Sequence, residues 1–378
     1  MPEKIHVLAD RHIFRIDHAV PGTVSLTLFD PQKGVPGDLA EYDALLIRTV
    51  TSINEETLPT EPGRLRFVAS ATAGTDHVDQ QALQHRKISF SYAPGCNARA
   101  VAEYVATTVL LWADRTDVDI RQHKVGIVGA GHTGTEVQAL LKKLGVHSLS
   151  YDPPRAEQDT SFLSCSLEEV LQCDILTLHT PLTTEGRYPT ESWLNRFTLH
   201  KNRFSLVLNA SRGGVAHEMD LLEAQERGEV QDLALDVWEH EPLFRDVVAR
   251  NAWFATPHIA GYSRQSKWRA TRMIVSELCR EFTLENSVEP FTSDTRRIEF
   301  PPGTEEKGLA DILELIHPIT EYDRLLRRAI GLNSSKKAAR FAEIRTRFPL
   351  RDEYPALVCP APILERYPAL SALGIQAE

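Results

Sequence analysis

Short apolar runs punctuate the chain, and each stops at small or polar residues. Ile5-His6-Val7-Leu8-Ala9, Ala44-Leu45-Leu46-Ile47, Phe67-Val68-Ala69-Ser70 and Ile88-Ser89-Phe90-Ser91-Tyr92 read as strands, with helical stretches between them. Ala98 to Trp112 carries Val101, Tyr104, Val105 and Val109 at helical spacing, a long helix leading from a first domain into a second. Its Glu103 reads as an exposed or capping side chain. A second series of runs follows: Val125-Gly126-Ile127-Val128, Ser148 to Asp152, Cys173 to Leu182, Ser205 to Ala210, Leu233 to Trp238 and Trp253 to His258. Strands alternating with helices predict α/β units with parallel sheets. From Ser263 a helix through Trp268, Met273, Val275 and Leu278 is expected to pack back on the first domain. Pro301-Pro302-Gly303 marks a boundary, and the tail mixes a basic helical stretch, Arg324 to Arg340, with proline-broken segments.

At 378 residues the chain exceeds one ordinary core, so two or three domains are expected. Interspersed charges summing to −10 offer no basic tract for nucleic acid and argue against an anionic membrane surface. No apolar run is long enough to span a bilayer, and the start has no signal-peptide core. Cys96, Cys165, Cys173, Cys279 and Cys359 are scattered, as reduced thiols of a cytoplasmic protein would be. His6, His12 and His18 lack metal-ligand spacing, and no metal is expected.

The second series contains a phosphate-binding signature. After the strand at Val125–Val128 come Gly129-Ala130-Gly131-His132-Thr133-Gly134, then a helical pattern through Val137, Leu140, Leu141 and Leu144 that closes at Gly145. Gly129 permits a tight turn, Gly131 lets backbone N–H groups approach a pyrophosphate, and Gly134 lets helix and strand pack closely. Asp152 ends the next strand roughly 20 residues on, where a carboxylate accepts from ribose hydroxyls. Its charge would repel a 2′-phosphate and favours NAD over NADP, a preference Arg155 could weaken.

Ligands of an open parallel sheet gather at the carboxyl ends of its strands, so Thr180, Arg212 and Asp236 should face one crevice. Three segments there compose a chemistry: Ser211-Arg212-Gly213-Gly214, Glu239-His240-Glu241-Pro242 and Pro257-His258-Ile259-Ala260-Gly261-Tyr262. Oxidising a 2-hydroxy acid removes the hydroxyl proton as hydride leaves the same carbon. His258 is the best base, Glu241 would fix its tautomer, and Arg212 offers a planar fork to the substrate carboxylate.

In these motifs the chain resembles the D-isomer-specific 2-hydroxyacid dehydrogenase family over about its first three quarters. That resemblance implies two Rossmann-like doubly wound parallel-sheet domains plus a small C-terminal α+β dimerisation domain. The corresponding boundaries are 1–97 with 262–290 for a flavodoxin-like substrate-binding domain, 98–261 for the NAD-binding domain and 291–378 for dimerisation. It further implies that Arg212, Glu241 and His258 are catalytic and that Asp152, Thr180, Asp236 and Gly261 touch NAD, beside Gly129, Gly131, His132, Thr133 and Gly134.

Within the family, Ala71 to Asp79, Ala93 to Ala98 and His258 to Ser263 resemble members that act on a phosphorylated 2-hydroxy acid as homodimers. This implies substrate contacts from Thr49, Thr72 and Tyr262; Arg48 could add charge for a phosphate. Asp10-Arg11-His12 departs from the pattern of those members. A phosphoglycerate-type or other D-2-hydroxyacid dehydrogenase is the nearest alternative, and an NADH-sensing, corepressor-like protein the alternative of a different class.

Overall fold

The computed structural model describes residues 4–60, 63–286, 295–301, 303–304 and 307–378. The described residues of Met1–Asn97 and Ser263–Ser293 form one compact unit, and those of Ala98–Tyr262 and Asp294–Glu378 a second. The domain boundary expected near 290–291 and Pro302 lie outside the described residues.

In the first unit β1 (Ile5–Asp10), β2 (Val24–Phe29), β3 (Ala44–Ile47), β4 (Phe67–Ser70) and β5 (Ser89–Tyr92) make a parallel sheet in the order β2-β1-β3-β4-β5. β3 and β4 are buried throughout, which is why they read as unbroken apolar runs. β2 escapes the sequence reading. It is an edge strand whose Val24-Ser25-Leu26-Thr27-Leu28-Phe29 interleaves polar residues and is only partly buried. The helix Arg264–Glu281 belongs to this unit, burying Trp268, Ala270, Ile274, Val275 and Leu278 in one cluster with Val7, Leu46 and Phe67. It begins at a capping box: Ser263 accepts from Ser266 N at 2.9 Å, and the Ser266 hydroxyl returns the bond.

The second unit holds β6 (Lys124–Val128), β7 (His147–Tyr151), β8 (Ile175–Leu178), β9 (Phe204–Asn209), β10 (Val230–Leu235) and β11 (Phe254–Ala255), all parallel, in the order β11-β10-β9-β8-β6-β7. The long helix Ala98–Thr116 buries Val101, Val105, Val109 and Trp112 with Ile127, Val137 and Leu206. Glu103 on this helix is neither exposed nor a cap. Its carboxylate is fully buried and accepts from Arg99 Nε at 2.8 Å, Arg351 Nη1 at 2.5 Å and Tyr354 N at 2.9 Å. Two of those partners come from the far end of the chain, so only the fold reveals that the charge is paired.

The C-terminal segment adds a small parallel sheet, β12 (Arg296–Arg297), β13 (Leu357–Cys359) and β14 (Gln376–Ala377), and several helices. The basic stretch is two helices, Ile319–Arg327 and Ser334–Thr346. The chain turns between them through Gly331 at φ 81°, a conformation glycine adopts without strain. Among the described residues no helix is long and apolar enough to cross a membrane.

Candidate active site

The glycine turn after β6 separates what the chain itself requires from what it leaves open. Gly129 has φ 89°, and a Cβ there would lie 2.8 Å from the His179 carbonyl group. A Cβ on Gly134 would lie 1.9 Å from the Gly129 oxygen, so the helix His132–Lys143 meets its strand only because both residues are glycine. Gly131 is different: a Cβ added there meets nothing within 4 Å. It precedes the helix, no side chain caps that end, and His132 and Thr133 form its first turn. Packing does not demand glycine at Gly131, and its absence of a side chain leaves clearance for an anion over the helix N-terminus.

Asp152 follows β7. Its Oδ2 accepts from Ala130 N at 2.7 Å and its Oδ1 from Arg155 N at 3.0 Å, capping the helix Pro153–Gln158. A carboxylate has about four lone-pair positions, so acceptor capacity remains. The residue lines a cavity of about 590 Å³ with Gly129, Gly131, Tyr151, Thr180 and Trp193. Arg155 donates Nη1 to Ala130 O at 2.5 Å and to Thr135 Oγ1 at 2.9 Å, and its guanidinium stacks on Phe162 at 4.2 Å. It is thereby engaged with the glycine turn. Thr180 Oγ1 and His179 Nδ1 are buried without a hydrogen-bond partner. Burial pushes the His179 imidazole down to about 3, so a neutral ring lines this cavity. The unmatched hydroxyl, the open glycine and the acidic acceptor fit a dinucleotide.

The second constellation grows from the ends of β9, β10 and β11. Asn209, closing β9, accepts from Ser211 N at 3.1 Å and Ser211 Oγ at 2.8 Å and donates Nδ2 to Arg212 O at 3.0 Å, fixing the turn that carries Arg212. Arg212 Nη1 donates to Ser211 O at 2.8 Å. The following Gly213 is a close-approach residue, since a Cβ would stand 1.9 Å from Trp238 O. The loops that carry Arg212 and Glu241 therefore touch backbone to backbone. Trp238 N donates to Glu241 Oε1 at 2.9 Å, and Glu241 Oε2 lies 2.8 Å from His258 Nδ1. Burial pushes the Glu241 carboxyl up, but His258 and Arg345 outweigh it and hold it below the ordinary range.

His258 sits at φ 58°, in the left-handed region that costs a non-glycine residue about 1–3 kcal/mol. Asp236 holds it there. Its fully buried carboxylate accepts from Thr256 Oγ1 at 2.6 Å, Ile259 N at 2.9 Å and Ala260 N at 2.9 Å, bracketing His258. Burial pushes Asp236 up, against these bonds and the nearby His258. Gly261 and Tyr262 follow in the turn before the helix Arg264–Glu281, both half-buried.

Sequence reading missed a supporting bracket. Glu239 N donates to Glu218 Oε1 at 2.7 Å and Glu218 N to Glu239 Oε1 at 3.0 Å, while Arg245 pairs with Glu239 at 3.0 Å. Burial pushes Glu218 up to about 7. No spacing rule connects Glu218 with Glu239.

The remaining site candidates lie in the first unit. Arg48 and Thr49 follow β3, and Arg48 Nε donates to the buried Asp10 Oδ2 at 2.8 Å, at the point where the sheet order reverses between β1 and β3. Thr49 is exposed. Thr72 follows β4; its hydroxyl donates to Gly74 O at 2.8 Å and lies 2.7 Å from Ser70 Oγ, which in turn lies 2.8 Å from His77 Nε2. The pairing of Asp10 with Arg48 and of Ser70 with His77 is not legible in the sequence, because each partner is brought in by a neighbouring strand or loop.

Residues 98–260 match the pattern described as D-isomer specific 2-hydroxyacid dehydrogenase, NAD binding domain. The chain is 35% identical over 363 residues to an erythronate-4-phosphate dehydrogenase of Marinobacter nauticus, covering 93% of each. It is 35% identical over 359 residues to one of Proteus mirabilis, covering 91% of this chain and 93% of that one. The fold is similar to Aquifex aeolicus D-lactate dehydrogenase complexed with NAD and lactic acid, at TM-score 0.59 and 22% identity over 74% of this chain and 95% of that one. It is similar also to the Staphylococcus aureus NAD-dependent formate dehydrogenase, at TM-score 0.57 and 21% identity over 74% of this chain and 96% of that one. With its glycine turn, its acid at Asp152 and the Arg212, Glu241 and His258 loops on one sheet, the chain belongs to the erythronate-4-phosphate dehydrogenases of the D-isomer-specific 2-hydroxyacid dehydrogenase family.

Proposed function

We propose that the protein oxidises 4-phospho-D-erythronate to (R)-3-hydroxy-2-oxo-4-phosphobutanoate with NAD, on the route to pyridoxal 5′-phosphate. The observation that carries this reading is the 2.8 Å contact between Glu241 Oε2 and His258 Nδ1, which leaves Nε2 for the substrate. Bound NAD supplies the hydride acceptor. His258 Nε2 takes the proton of the 2-hydroxyl, and Glu241 keeps the ring in the required tautomer and balances the imidazolium. Arg212 holds the substrate carboxylate through its guanidinium fork. Gly129, Gly131, His132, Thr133, Gly134, Asp152, Thr180, Asp236 and Gly261 are assigned to the cofactor, and Arg48, Thr49, Thr72 and Tyr262 to the substrate. The domain assignment follows: 1–97 with 262–290 for substrate, 98–261 for NAD and 291–378 for pairing two cytoplasmic copies into a homodimer.

Purified protein supplied with 4-phospho-D-erythronate, NAD and an acceptor for the reduced cofactor should turn over. Turnover of phosphoglycerate or another 2-hydroxy acid in its place overturns the substrate assignment. A His258→Asn variant that still supported vitamin B6 synthesis in cells would favour a sensor or another substrate.

A further inference from the structure

The C-terminal segment braces the strand that leads to His258. Asp323 Oδ1 accepts from Ala255 N at 2.7 Å, and Arg327 donates to Ala249 O at 2.6 Å and to Ala252 O at 2.8 Å. The next helix, Ser334–Thr346, is pinned by Lys337, which donates to Phe244 O at 3.2 Å. Its last turn carries Arg345. The Arg345 Cζ lies 6.0 Å from the centroid of the Tyr262 ring and 5.8 Å from that of Phe341. Phe348 packs edge-on against the same tyrosine, with ring centroids 5.6 Å apart at 83°. Arg345 is half-buried with its Nε wholly buried, and its charge is felt by Glu241, Tyr262 and Asp236.

We propose that Arg345 is a positioning residue for the Glu241–His258 pair, its guanidinium and Phe348 fixing the Tyr262 ring in the turn that follows His258. This rests on the catalytic reading of His258 and Glu241 given above. It gives the C-terminal segment a part in the reaction besides packing or pairing. The charged and titratable groups facing Glu241 are His258, Arg345 and Glu218; Asp236 faces both His258 and Arg345, and Tyr262 faces Arg345. In that company Arg345 is the cation that does not exchange protons at working pH. Without it Glu241 binds a proton more readily, and loss of that anion moves the acid limb of the oxidation rate to higher pH.

The test is the pH profile of kcat/KM for 4-phospho-D-erythronate oxidation by Arg345→Gln, with NAD affinity followed by fluorescence titration. The expected result is an acid limb moved up by about half a unit or more, kcat/KM at neutral pH lowered about 5- to 50-fold, and NAD affinity within about twofold. An unmoved limb overturns the proposal, whatever the loss of rate. If Arg345→Gln fails to fold, Arg345→Lys carries the test, because it keeps the charge without the planar stacking. The Lys variant should keep the limb while raising KM; a limb that moves, or kinetics identical to the parent, overturns it. His258→Ala is the control for the underlying reading: turnover without His258 removes that reading, whereas an inactive His258→Ala beside an unmoved Arg345→Gln limb removes the Arg345 proposal alone.

Discussion

Arg351→Met removes the cation from the buried pair that ties the C-terminal segment to the helix Ala98–Thr116. Methionine roughly fills the space, so the loss is mainly electrostatic. Arg351 donates Nη1 to Glu103 Oε2 at 2.5 Å and to Asp352 O at 3.1 Å, and Nη2 to Ala100 O at 3.0 Å. Without them Glu103 keeps Arg99 and Tyr354 N on Oε1 but has a bare Oε2 at 0% exposure. Stripping one partner from a buried ion pair costs about 3–5 kcal/mol, a large share of the roughly 5–15 kcal/mol that ordinarily separates folded from unfolded protein. Burial already pushes Glu103 above its ordinary 4.5, with Arg351 opposing, and in the variant Arg99 and the Tyr354 N–H alone are left to oppose it. A carboxyl raised in the folded state contributes stability that is present below its unfolded value and lost as pH rises through the folded one. The deficit of Arg351→Met against the parent should therefore be largest near pH 8 and shrink toward pH 5.5. Thermal unfolding, together with limited proteolysis that reports release of the C-terminal segment, reads both quantities. A deficit below about 1 kcal/mol at pH 8, or one that does not shrink on acidification, would refute the reasoning. Glu103→Leu with Arg351→Met should recover part of the loss, because the Glu103 carboxylate is then no longer left buried and bare.

Other perturbations separate the roles of neighbouring residues. Asp236→Asn turns an NH₂ toward one of the N–H groups that flank His258, leaving about one buried donor unsatisfied and costing about 1–3 kcal/mol. Turnover should fall about tenfold or more, beyond any loss of NAD affinity, and a loss confined to NAD affinity would refute the bracing of His258 by Asp236. Gly131→Val should weaken NAD binding without lowering the melting temperature, whereas Gly134→Ala should destabilise the fold; equal melting temperatures for the two would contradict the distances. Glu218, raised to about 7, contributes stability that is full below 4.5 and lost as pH rises through about 7. Glu218→Gln should flatten the stability profile between about pH 4.5 and 7, by on the order of 1–3 kcal/mol, and superimposable profiles would argue against the shift.

The parallel sheets were legible because strands buried on both faces must be apolar throughout, and the glycine turn because its spacing meets a local steric demand. β2 was not legible, since an edge strand needs only one buried face and Ser25 and Thr27 interrupt the run. The candidate trio Arg212, Glu241 and His258 was visible as three segments at strand ends. Their mutual distances were not, because Glu241 and His258 meet across two loops.

Sequence by itself determined most of the apolar strands and the NAD signature, and it singled out Arg212, Glu241 and His258 as candidates, since these follow from local periodicity and residue chemistry. Tertiary structure decided which charges face one another. Glu103 reads as a surface residue until Arg351 is folded against it, Asp236 as an acid at a strand end until its oxygens are found on the hydroxyl and N–H groups around His258, and Arg345 as one of many basic residues until its guanidinium is set over the Tyr262 ring. Charge acts through space and over short range, so its consequences stay hidden until distant stretches of chain are brought together.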